Sequence, residues 1–364
     1  MSKKVIFILF ASVIFVGLIV YGSLQYNQKL KTISKQAQKK MEQRVHQSEQ
    51  ENRDFYTKLI NEKKIHFMVI GNGLDEEETL QQQISSRIEK KYNNKVYQHQ
   101  ITKQGADVFD GLFMYEKGKK EIEQDLVMIV FGKHDIDRLT LEQFEKNYET
   151  LLNRVIADQP RAEVFTFIEN GLKNNEKYVN AIEKTSDYYG VFSIDGEEVF
   201  DTTGKSIAQI TTEEGIPNEE GYNLYAESIF NTINENVINN KTITYARIDP
   251  LHQLTKHDDF RSINTPKESD GFVLVDDYYS SSTINHSIRY EFTGDLLALH
   301  LNNTGGVMEV YLDGEYVQQY DLNNLPKGAI HLLITDELKK GEHIAQIFVR
   351  ESGKTIQIKS LITK

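Results

Sequence analysis

Between residues 64 and 240 the sequence alternates short apolar runs with stretches in which apolar residues recur every third or fourth position. The short runs suit strands that are buried on both faces, and the recurring positions suit amphipathic helices. This alternation is typical of βαβ units, which form a parallel sheet covered by helices on both faces. We predict the strands at residues 65–70, 96–101, 126–131, 164–168 and 191–194.

Four sequence blocks lie where strands of this sheet end or where its last helix begins. Ligands of parallel α/β sheets bind beyond the carboxyl ends of the strands, so these blocks hold the candidate site residues. They read Gly71-Asn72-Gly73-Leu74, Lys103-Gln104-Gly105-Ala106-Asp107, Phe131-Gly132-Lys133-His134-Asp135 and Gly215-Ile216-Pro217-Asn218-Glu219-Glu220-Gly221-Tyr222.

In this order and at this spacing, the four blocks resemble those of the SGNH (GDSL-type) hydrolases, over residues 64–238. The resemblance implies a three-layer, flavodoxin-like α/β domain. It also implies a serine nucleophile in the first block, an oxyanion-hole glycine in the second and an asparagine in the third. The last block of the family supplies an aspartate and the histidine base.

The positions of the nucleophile and the base hold no reactive side chain. The first block reads Asn72-Gly73 where the family has Asp-Ser, and glycine has no atom that can attack a carbonyl carbon. Ile216 stands at the position of the histidine and cannot accept a proton, while Glu213 stands at the position of the orienting aspartate. The sequence therefore predicts a degenerate member of the family that lacks its hydrolytic mechanism.

The oxyanion side of the site is partly kept. Gly105 matches the glycine of the second block, Asp135 matches the aspartate of the third, and His134 replaces the asparagine before it. Of the remaining side chains, His134 is the best candidate for proton transfer because it lies on a loop at the mouth of the sheet. Adjacent residues rarely form an orienting pair, and the sequence offers no nucleophile beside His134.

Other hydroxyl and imidazole side chains of the domain are predicted to be structural. Ser85 and Ser86 fall on the helix that leads away from the mouth. His66 and His99 fall inside predicted strands, where a hydrogen-bonded structural histidine is the expected role. None of these four residues is therefore predicted to replace the missing nucleophile or base.

We predict neither a metal nor a cofactor. The side chains of Asp107, His134, Asp135, Glu213 and Glu214 can meet near the mouth, but no metal-binding spacing links them, and a solvated acidic rim is expected. The chain has no cysteine, which excludes disulfides, thiolate-bound metals and thiol catalysis. A chain without cysteine also suits an exported protein of a Gram-positive bacterium.

Charge is distributed unevenly along the chain. Residues 1–64 contain 12 Lys and Arg against 5 Asp and Glu, whereas residues 65–364 contain 30 against 49. The acidic body repels phosphate backbones, so nucleic acid is not a predicted partner.

Residues 5–24 form an apolar run without any charge, which is long enough to cross a bilayer as a helix. We predict a transmembrane anchor over residues 1–25, with a cleaved signal peptide as the competing interpretation. Residues 26–63 are polar and free of glycine and proline, which predicts a helical stalk.

The orientation of the anchor is contested. Two lysines precede the apolar run and six basic residues follow it: Lys29, Lys31, Lys35, Lys39, Lys40 and Arg44. The positive-inside rule taken literally places the body in the cytoplasm. We nevertheless predict an extracytoplasmic body, because a short basic tail followed at once by an apolar run is typical of exported anchors.

The α/β domain is predicted over residues 64–240, and a β-sandwich or jelly roll over residues 245–364. Strands alternate there with turn signals, and the Asp313-Gly314 pair predicts a tight hairpin between strands at 307–312 and 315–320. Further strands are predicted at 296–301, 329–334, 343–349 and 355–362. This order resembles the jelly-roll modules beside SGNH domains in some carbohydrate esterases.

Five tyrosines of the second domain offer faces on which sugars can stack: Tyr278, Tyr279, Tyr311, Tyr316 and Tyr320. Aromatic residues in strands also serve as core or cross-strand partners, and the sequence leaves both roles open.

The leading functional hypothesis is a membrane-anchored, extracytoplasmic pseudohydrolase that binds or organises cell-envelope polysaccharide. One alternative is an active O-acetyl esterase or acyltransferase of surface glycans with displaced catalytic residues. The other is a structural subunit of a membrane complex, with a membrane protein as its partner. The sequence leaves the ligand and the oligomeric state open.

Overall fold

The computed structural model describes residues 53–71, 80–118, 122–172, 175–213, 215–243, 245, 249–252, 254 and 260–364. The predicted anchor and the site positions Asn72, Gly73 and Glu214 lie outside these ranges. Residues 54–364 form one compact unit. Within the described ranges, no helix combines the length and the apolar character needed to cross a bilayer.

A five-stranded parallel sheet forms the first part of this unit, as predicted. Its strands are β1 (Lys64–Gly71), β2 (Lys95–Thr102), β3 (Leu126–Val130), β4 (Glu163–Ile168) and β5 (Phe192–Asp195), in the order β2-β1-β3-β4-β5. Each strand begins and ends within one residue of its predicted bounds. Strands β3 and β4 are buried along their whole length, as central strands of a parallel sheet are.

Helices cover both faces of the sheet. They are α1 (Phe55–Asn61), α2 (Leu80–Tyr92), α3 (Val108–Gly118), α4 (Leu141–Asp158), α5 (Glu176–Tyr189), α6 (Gly196–Asp201), α7 (Ile207–Ile210) and α8 (Glu219–Ile238). Helices α1, α2 and α8 contribute to the core on one face, and α3, α4 and α5 to the core on the other. A capping box formed by Thr140 and Gln143 fixes the start of α4.

Helix α1 falls within the segment predicted as a stalk. Its side chains Phe55 and Leu59 are fully buried in the core on the α2 face. The carboxylate of Asp54 caps the helix by accepting a hydrogen bond from the backbone N–H of Thr57 at 3.0 Å. The folded unit therefore includes the last residues of the predicted stalk and begins about one helix before β1.

Two antiparallel sheets form the second part of the unit. Their strands are β6 (Arg261–Ile263), β7 (Glu268–Asp270), β8 (Val273–Val275), β9 (Tyr278–Ser281), β10 (Ser287–Gly294), β11 (Leu297–Asn303), β12 (Val307–Leu312), β13 (Glu315–Asp321), β14 (Gly328–Thr335), β15 (Gly341–Val349) and β16 (Ile356–Thr363), with a 3-10 turn at Leu322–Asn324. The five-stranded sheet has the order β13-β12-β15-β10-β7. The six-stranded sheet has the order β14-β11-β16-β9-β8, with β6 also paired to β16.

The hairpin predicted from Asp313-Gly314 is present between β12 and β13. Both turn residues have positive φ angles, 52° and 86°, which a tight hairpin requires.

The six-stranded sheet packs against the α/β domain. Along β11, Leu297 and Leu299 face the interior of the sandwich, whereas Ala298 joins the core that contains α3, α4 and α5. Leu333 of β14 and Ile362 of β16 join the same core. An ion pair between Lys146 and Asp336, at 2.6 Å, also connects the two parts. The α/β domain and the sandwich therefore share one of the apolar cores of this unit, while the interior of the sandwich forms a core of its own.

Candidate functional site

The second sequence block forms a turn after β2, closed by a hydrogen bond from Ala106 N–H to Lys103 O at 3.0 Å. Gly105 has a positive φ angle of 71° and its carbonyl accepts a hydrogen bond from Arg138 Nη1 at 3.0 Å. A Cβ atom at position 105 would lie 2.3 Å from Cγ of Pro326, which belongs to the loop between β13 and β14. The sandwich therefore packs directly on the glycine that matches the oxyanion-hole position.

Asp135, from the third block, is fully buried and ties the second and third blocks together. One carboxylate oxygen accepts the backbone N–H of Val108 at 2.7 Å, and the other accepts the N–H of Gly132 at 2.8 Å. Both oxygens are thus engaged by the backbone, and His134 and Asp135 do not form an orienting pair. The role of Asp135 in this structure is to hold the start of α3 against the end of β3.

His134 lies on the same loop and is half-buried. Burial and the nearby charges of Lys133 and Arg138 lower the pKa of its imidazole, so the ring is neutral near pH 7. Within the described ranges, no serine or threonine hydroxyl lies within hydrogen-bonding distance of His134. The neutral ring could therefore accept a proton, but the described residues place no nucleophile beside it.

The last block forms a closed loop before α8. Thr212 N–H donates to Ile216 O at 2.7 Å, and Gly215 N–H donates to Thr212 O at 3.0 Å. The side chain of Asn170, which follows β4, donates to Gly215 O at 3.0 Å and fixes the loop near the end of that strand. Glu213 is exposed. Among the residues of this loop that the structure describes, the exposed carboxylate of Glu213 is therefore the one titrating group near the position that corresponds to the family's base.

A cluster of buried charges that sequence analysis did not identify joins the two domains; we call it the interdomain charge cluster. Its members are Lys103, Asp107, Asp110, Arg138 and His331. Arg138 lies 2.9 Å from Asp107 and 3.0 Å from Asp110, and its own side chain is 1% exposed. Asp110 accepts hydrogen bonds from the backbone N–H of His331 and pairs with its Nδ1, both at 2.8 Å.

The cluster keeps Asp110 ionised. Burial opposes the charged form, but Arg138, His331 and Lys103 outweigh it and hold the pKa of Asp110 below its usual range. Burial likewise opposes the charge of Arg138, and Asp107 and Asp110 together raise its pKa. The cluster is thus a set of mutually dependent charges enclosed between α3 and β14.

Of the other side chains considered from the sequence, Ser86 is exposed, and Ser85, His66 and His99 have structural contacts. Ser85 is buried and donates to the carbonyl of Gln81 at 2.7 Å, while His66 Nδ1 lies 3.0 Å from His99 Nε2 across β1 and β2. A hydroxyl does meet an imidazole at Ser281 and His286, at 2.8 Å, but this pair lies in the sandwich. In the part of the chain that the structure describes, no three His, Asp or Glu side chains are placed to hold a metal ion.

The buried carboxyl of Asp135 is expected to make stability fall as pH rises from about 5 to about 8. Burial and the charge of Asp107 raise its pKa to about 8, against the opposing hydrogen bonds from Val108 and Gly132. In the unfolded chain an aspartate has a pKa of about 3.9. Between these values the folded state binds more protons, so the free energy of unfolding decreases with rising pH.

Urea unfolding of residues 54–364 at several pH values tests this expectation. Asp135→Asn removes the titrating group. It should reduce the slope of the free energy of unfolding against pH by up to about 1.4 kcal/mol per pH unit, independently of its effect on stability at any single pH. Asp270→Asn, at an exposed position in β7, is the matched control and should leave the slope unchanged. Equal slopes for the wild-type protein and Asp135→Asn would contradict the assignment.

Neither the protein-family models nor the curated proteins contain a match to this chain. Solved structures do match. Two structures of a two-domain esterase active on acetylated mannans, one of them with mannopentaose, share 16% and 17% identity with the chain, with a TM-score of 0.66 for each. Each comparison covers 82% of this chain and 90% of the esterase.

A family 3 carbohydrate esterase from Clostridium thermocellum matches more weakly, at 12% identity over 49% of this chain and 98% of that one, with a TM-score of 0.41. The match to the two-domain esterase, with its TM-score of 0.66, shows that this chain has the same fold, an α/β domain followed by a β-sandwich.

Proposed function

We propose that this chain is a degenerate SGNH hydrolase with a C-terminal jelly-roll module, and that it binds or organises cell-envelope polysaccharide without hydrolysing it. Residues 5–24 anchor it in the membrane with its body outside the cytoplasm. The fold shared with an esterase active on acetylated mannans supports the link to polysaccharide. The uncharged apolar run at the start of the chain supports the anchor.

The observation that carries the non-catalytic part of the proposal is the loop of the last block. Its backbone closes on itself from Thr211 to Pro217, and it has Ile216 where the family has a histidine base. An aliphatic side chain cannot take a proton from a hydroxyl. Of the neighbouring side chains that the structure describes, none compensates, because Glu213 is exposed and His134 has no described hydroxyl partner.

The expected loss of activity is large. In a Ser-His-Asp enzyme, removal of the triad costs on the order of a millionfold in rate, and the remaining catalysis comes from the oxyanion hole and from binding. In this chain Gly73 replaces the nucleophile, and Gly105 packs against Pro326 of the sandwich. We therefore expect ester hydrolysis by this chain to be at least about a millionfold slower than that of a Ser-His-Asp enzyme.

Purified residues 54–364 test this proposal with p-nitrophenyl acetate, acetylated glucomannan and a fluorophosphonate probe that labels activated serines. We expect neither acetate release above background nor labelling. An active SGNH esterase treated in parallel confirms that each assay works.

Two variants identify the source of any activity that does appear. His134→Ala removes the imidazole at the mouth, and Ser281→Ala removes the hydroxyl that meets His286 in the sandwich. Hydrolysis or labelling that His134→Ala abolishes would contradict the proposal and favour an esterase with displaced catalytic residues. Labelling abolished by Ser281→Ala would instead reveal a second reactive site outside the α/β domain.

A further inference from the structure

Three aromatic rings form two edge-to-face contacts, at interplanar angles of 72° and 75°, on the outer face of the five-stranded sheet. The ring centroid of Tyr311, in β12, lies 5.6 Å from that of Tyr316 in β13 and 5.3 Å from that of Phe348 in β15. The strand residues beside them, Val310 and Ile347, are fully buried inside the sandwich. Because successive side chains of a strand alternate between faces, Tyr311 and Phe348 point outward. We call the three rings the aromatic row.

The aromatic row lies on the sheet that does not pack against the α/β domain. The shared core takes its sandwich residues from β11, β14 and β16 and their flanks, which all belong to the six-stranded sheet. Tyr316 is 55% exposed. A tyrosine that only supports the sheet is usually covered by its neighbours, whereas this ring presents most of its surface to solvent.

The other tyrosines singled out from the sequence have different surroundings. Tyr279 and Tyr320 pack against the sandwich core, and burial raises the pKa of Tyr320 above its usual range. Tyr278, in the six-stranded sheet, has the ammonium of Lys359 over its ring at 5.6 Å. Tyr311 and Tyr316 therefore differ in their surroundings from the other three tyrosines.

Polar side chains beside the aromatic row are held in fixed positions. The guanidinium of Arg350 lies over the Phe348 ring at 4.9 Å and pairs with Glu309 at 2.6 Å, and the hydroxyl of Tyr311 donates to the same carboxylate at 3.3 Å. Gln346 lies opposite Tyr311 in the register of β12 and β15. Donors and acceptors that are already oriented lose little entropy when a ligand binds.

We propose that the aromatic row and the polar side chains beside it bind a chain of pyranose sugars. A pyranose has an apolar C–H face, which suits the face of an aromatic ring, and a rim of hydroxyls, which suits fixed amide, guanidinium and carboxylate groups. Charges of both signs occur beside the rings, so the face does not select a polyanion or a basic peptide. This inference rests on the proposed polysaccharide-related function and gives it a location.

Affinity electrophoresis of residues 54–364 in native gels that contain acetylated glucomannan, deacetylated glucomannan or hydroxyethyl cellulose tests the site, together with sedimentation on insoluble peptidoglycan sacculi. Truncation of an aromatic anchor in a binding interface commonly costs more than 1 kcal/mol. We therefore expect Tyr311→Ala and Tyr316→Ala each to weaken binding to the retained polymer on the order of tenfold.

Two further variants serve as controls. Tyr316→Phe keeps the ring and should keep most of the affinity, while Tyr278→Ala removes a tyrosine from the other sheet and should change nothing. Because Tyr316 is largely exposed, its substitution should leave the urea midpoint unchanged, which separates lost binding from lost folding.

The possible outcomes test separately whether the aromatic row is the binding site and whether the protein binds polysaccharide at all. Weakened binding in Tyr311→Ala and Tyr316→Ala, with Tyr278→Ala unchanged, supports the aromatic row as the site. Binding by the wild-type protein that neither substitution weakens would overturn this location and leave the proposed function standing. Failure of the wild-type protein to bind any of the four polymers would overturn both.

Discussion

Asp110→Asn is expected to lower the free energy of unfolding by about 3 kcal/mol or more. The substitution keeps the size of the side chain but removes the charge that faces Arg138 at 3.0 Å and the imidazole and backbone N–H of His331 at 2.8 Å. In the variant, the buried guanidinium of Arg138 has Asp107 as its one remaining ion-pair partner among the described residues. The amide that replaces the carboxylate of Asp110 is also a poorer acceptor for the donors of His331. Breaking a buried ion pair from one side costs this much because the remaining charge stays desolvated.

Urea unfolding of residues 54–364 at neutral pH measures the effect. Asp270→Asn makes the same chemical change at an exposed position and should shift stability by less than about 0.5 kcal/mol. The triple variant Asp107→Asn/Asp110→Leu/Arg138→Met removes all three charges that pair with one another and should recover part of the loss, since replacement of a whole buried set of charges is often nearly neutral. If Asp110→Asn were as stable as Asp270→Asn, the cluster would not be a structural connection between the domains.

Gly105→Ala is expected to destabilise the protein by about 2–5 kcal/mol, from two causes. The positive φ angle of 71° is unfavourable for alanine by about 1–2 kcal/mol. The added methyl group would also lie 2.3 Å from Cγ and 2.6 Å from Cβ of Pro326, and the proline ring cannot rotate away. Overpacking of this kind typically costs about 1–3 kcal/mol.

The chain offers a matched control for the first cause. Gly353 has a φ angle of 77° with no atom within 4 Å of an added Cβ, so Gly353→Ala should show the conformational cost alone. Adding Pro326→Gly to Gly105→Ala removes the clashing ring, and a double-mutant cycle isolates the contact between the domains. Equal losses in Gly105→Ala and Gly353→Ala, with no coupling to Pro326→Gly, would contradict the close approach of the sandwich to position 105.

The parallel sheet could be predicted because its strands are both short and strongly apolar. Strands β3 and β4 are buried on both faces, and such strands appear in a sequence as uninterrupted apolar runs. The hairpin between β12 and β13 could be predicted because Asp313-Gly314 is one of the few pairs that accept positive φ angles at both positions.

Strand β10 (Ser287–Gly294) was not predicted, although its buried and exposed positions alternate. Strands β6 to β9, between residues 261 and 281, were also not predicted. Each has only three or four residues, and β7 and β8 are exposed along their whole length, so no alternation of buried and exposed positions marks them in the sequence. Their place is set by pairing with strands elsewhere in the chain: β7 pairs with β10, β6 and β9 pair with β16, and β8 pairs with β9.

The interdomain charge cluster could not be predicted because its contacts are distant in the sequence. Asp110 and His331 are 221 residues apart, and no local pattern connects them. One signal was present, since Asp107 and Asp110 are three residues apart at the start of a helix and therefore share a side of it. Sequence analysis singled out His134 and Asp135 on the same loop but not Arg138, which forms the ion pairs.

The apolar core that the two halves share has a consequence for how the protein denatures. Because Ala298, Leu333 and Ile362 of the sandwich lie in the same apolar cluster as α3, α4 and α5, separating the two halves would expose apolar surface on both of them. The halves are therefore thermodynamically coupled, and calorimetry should record a single melting transition for residues 54–364.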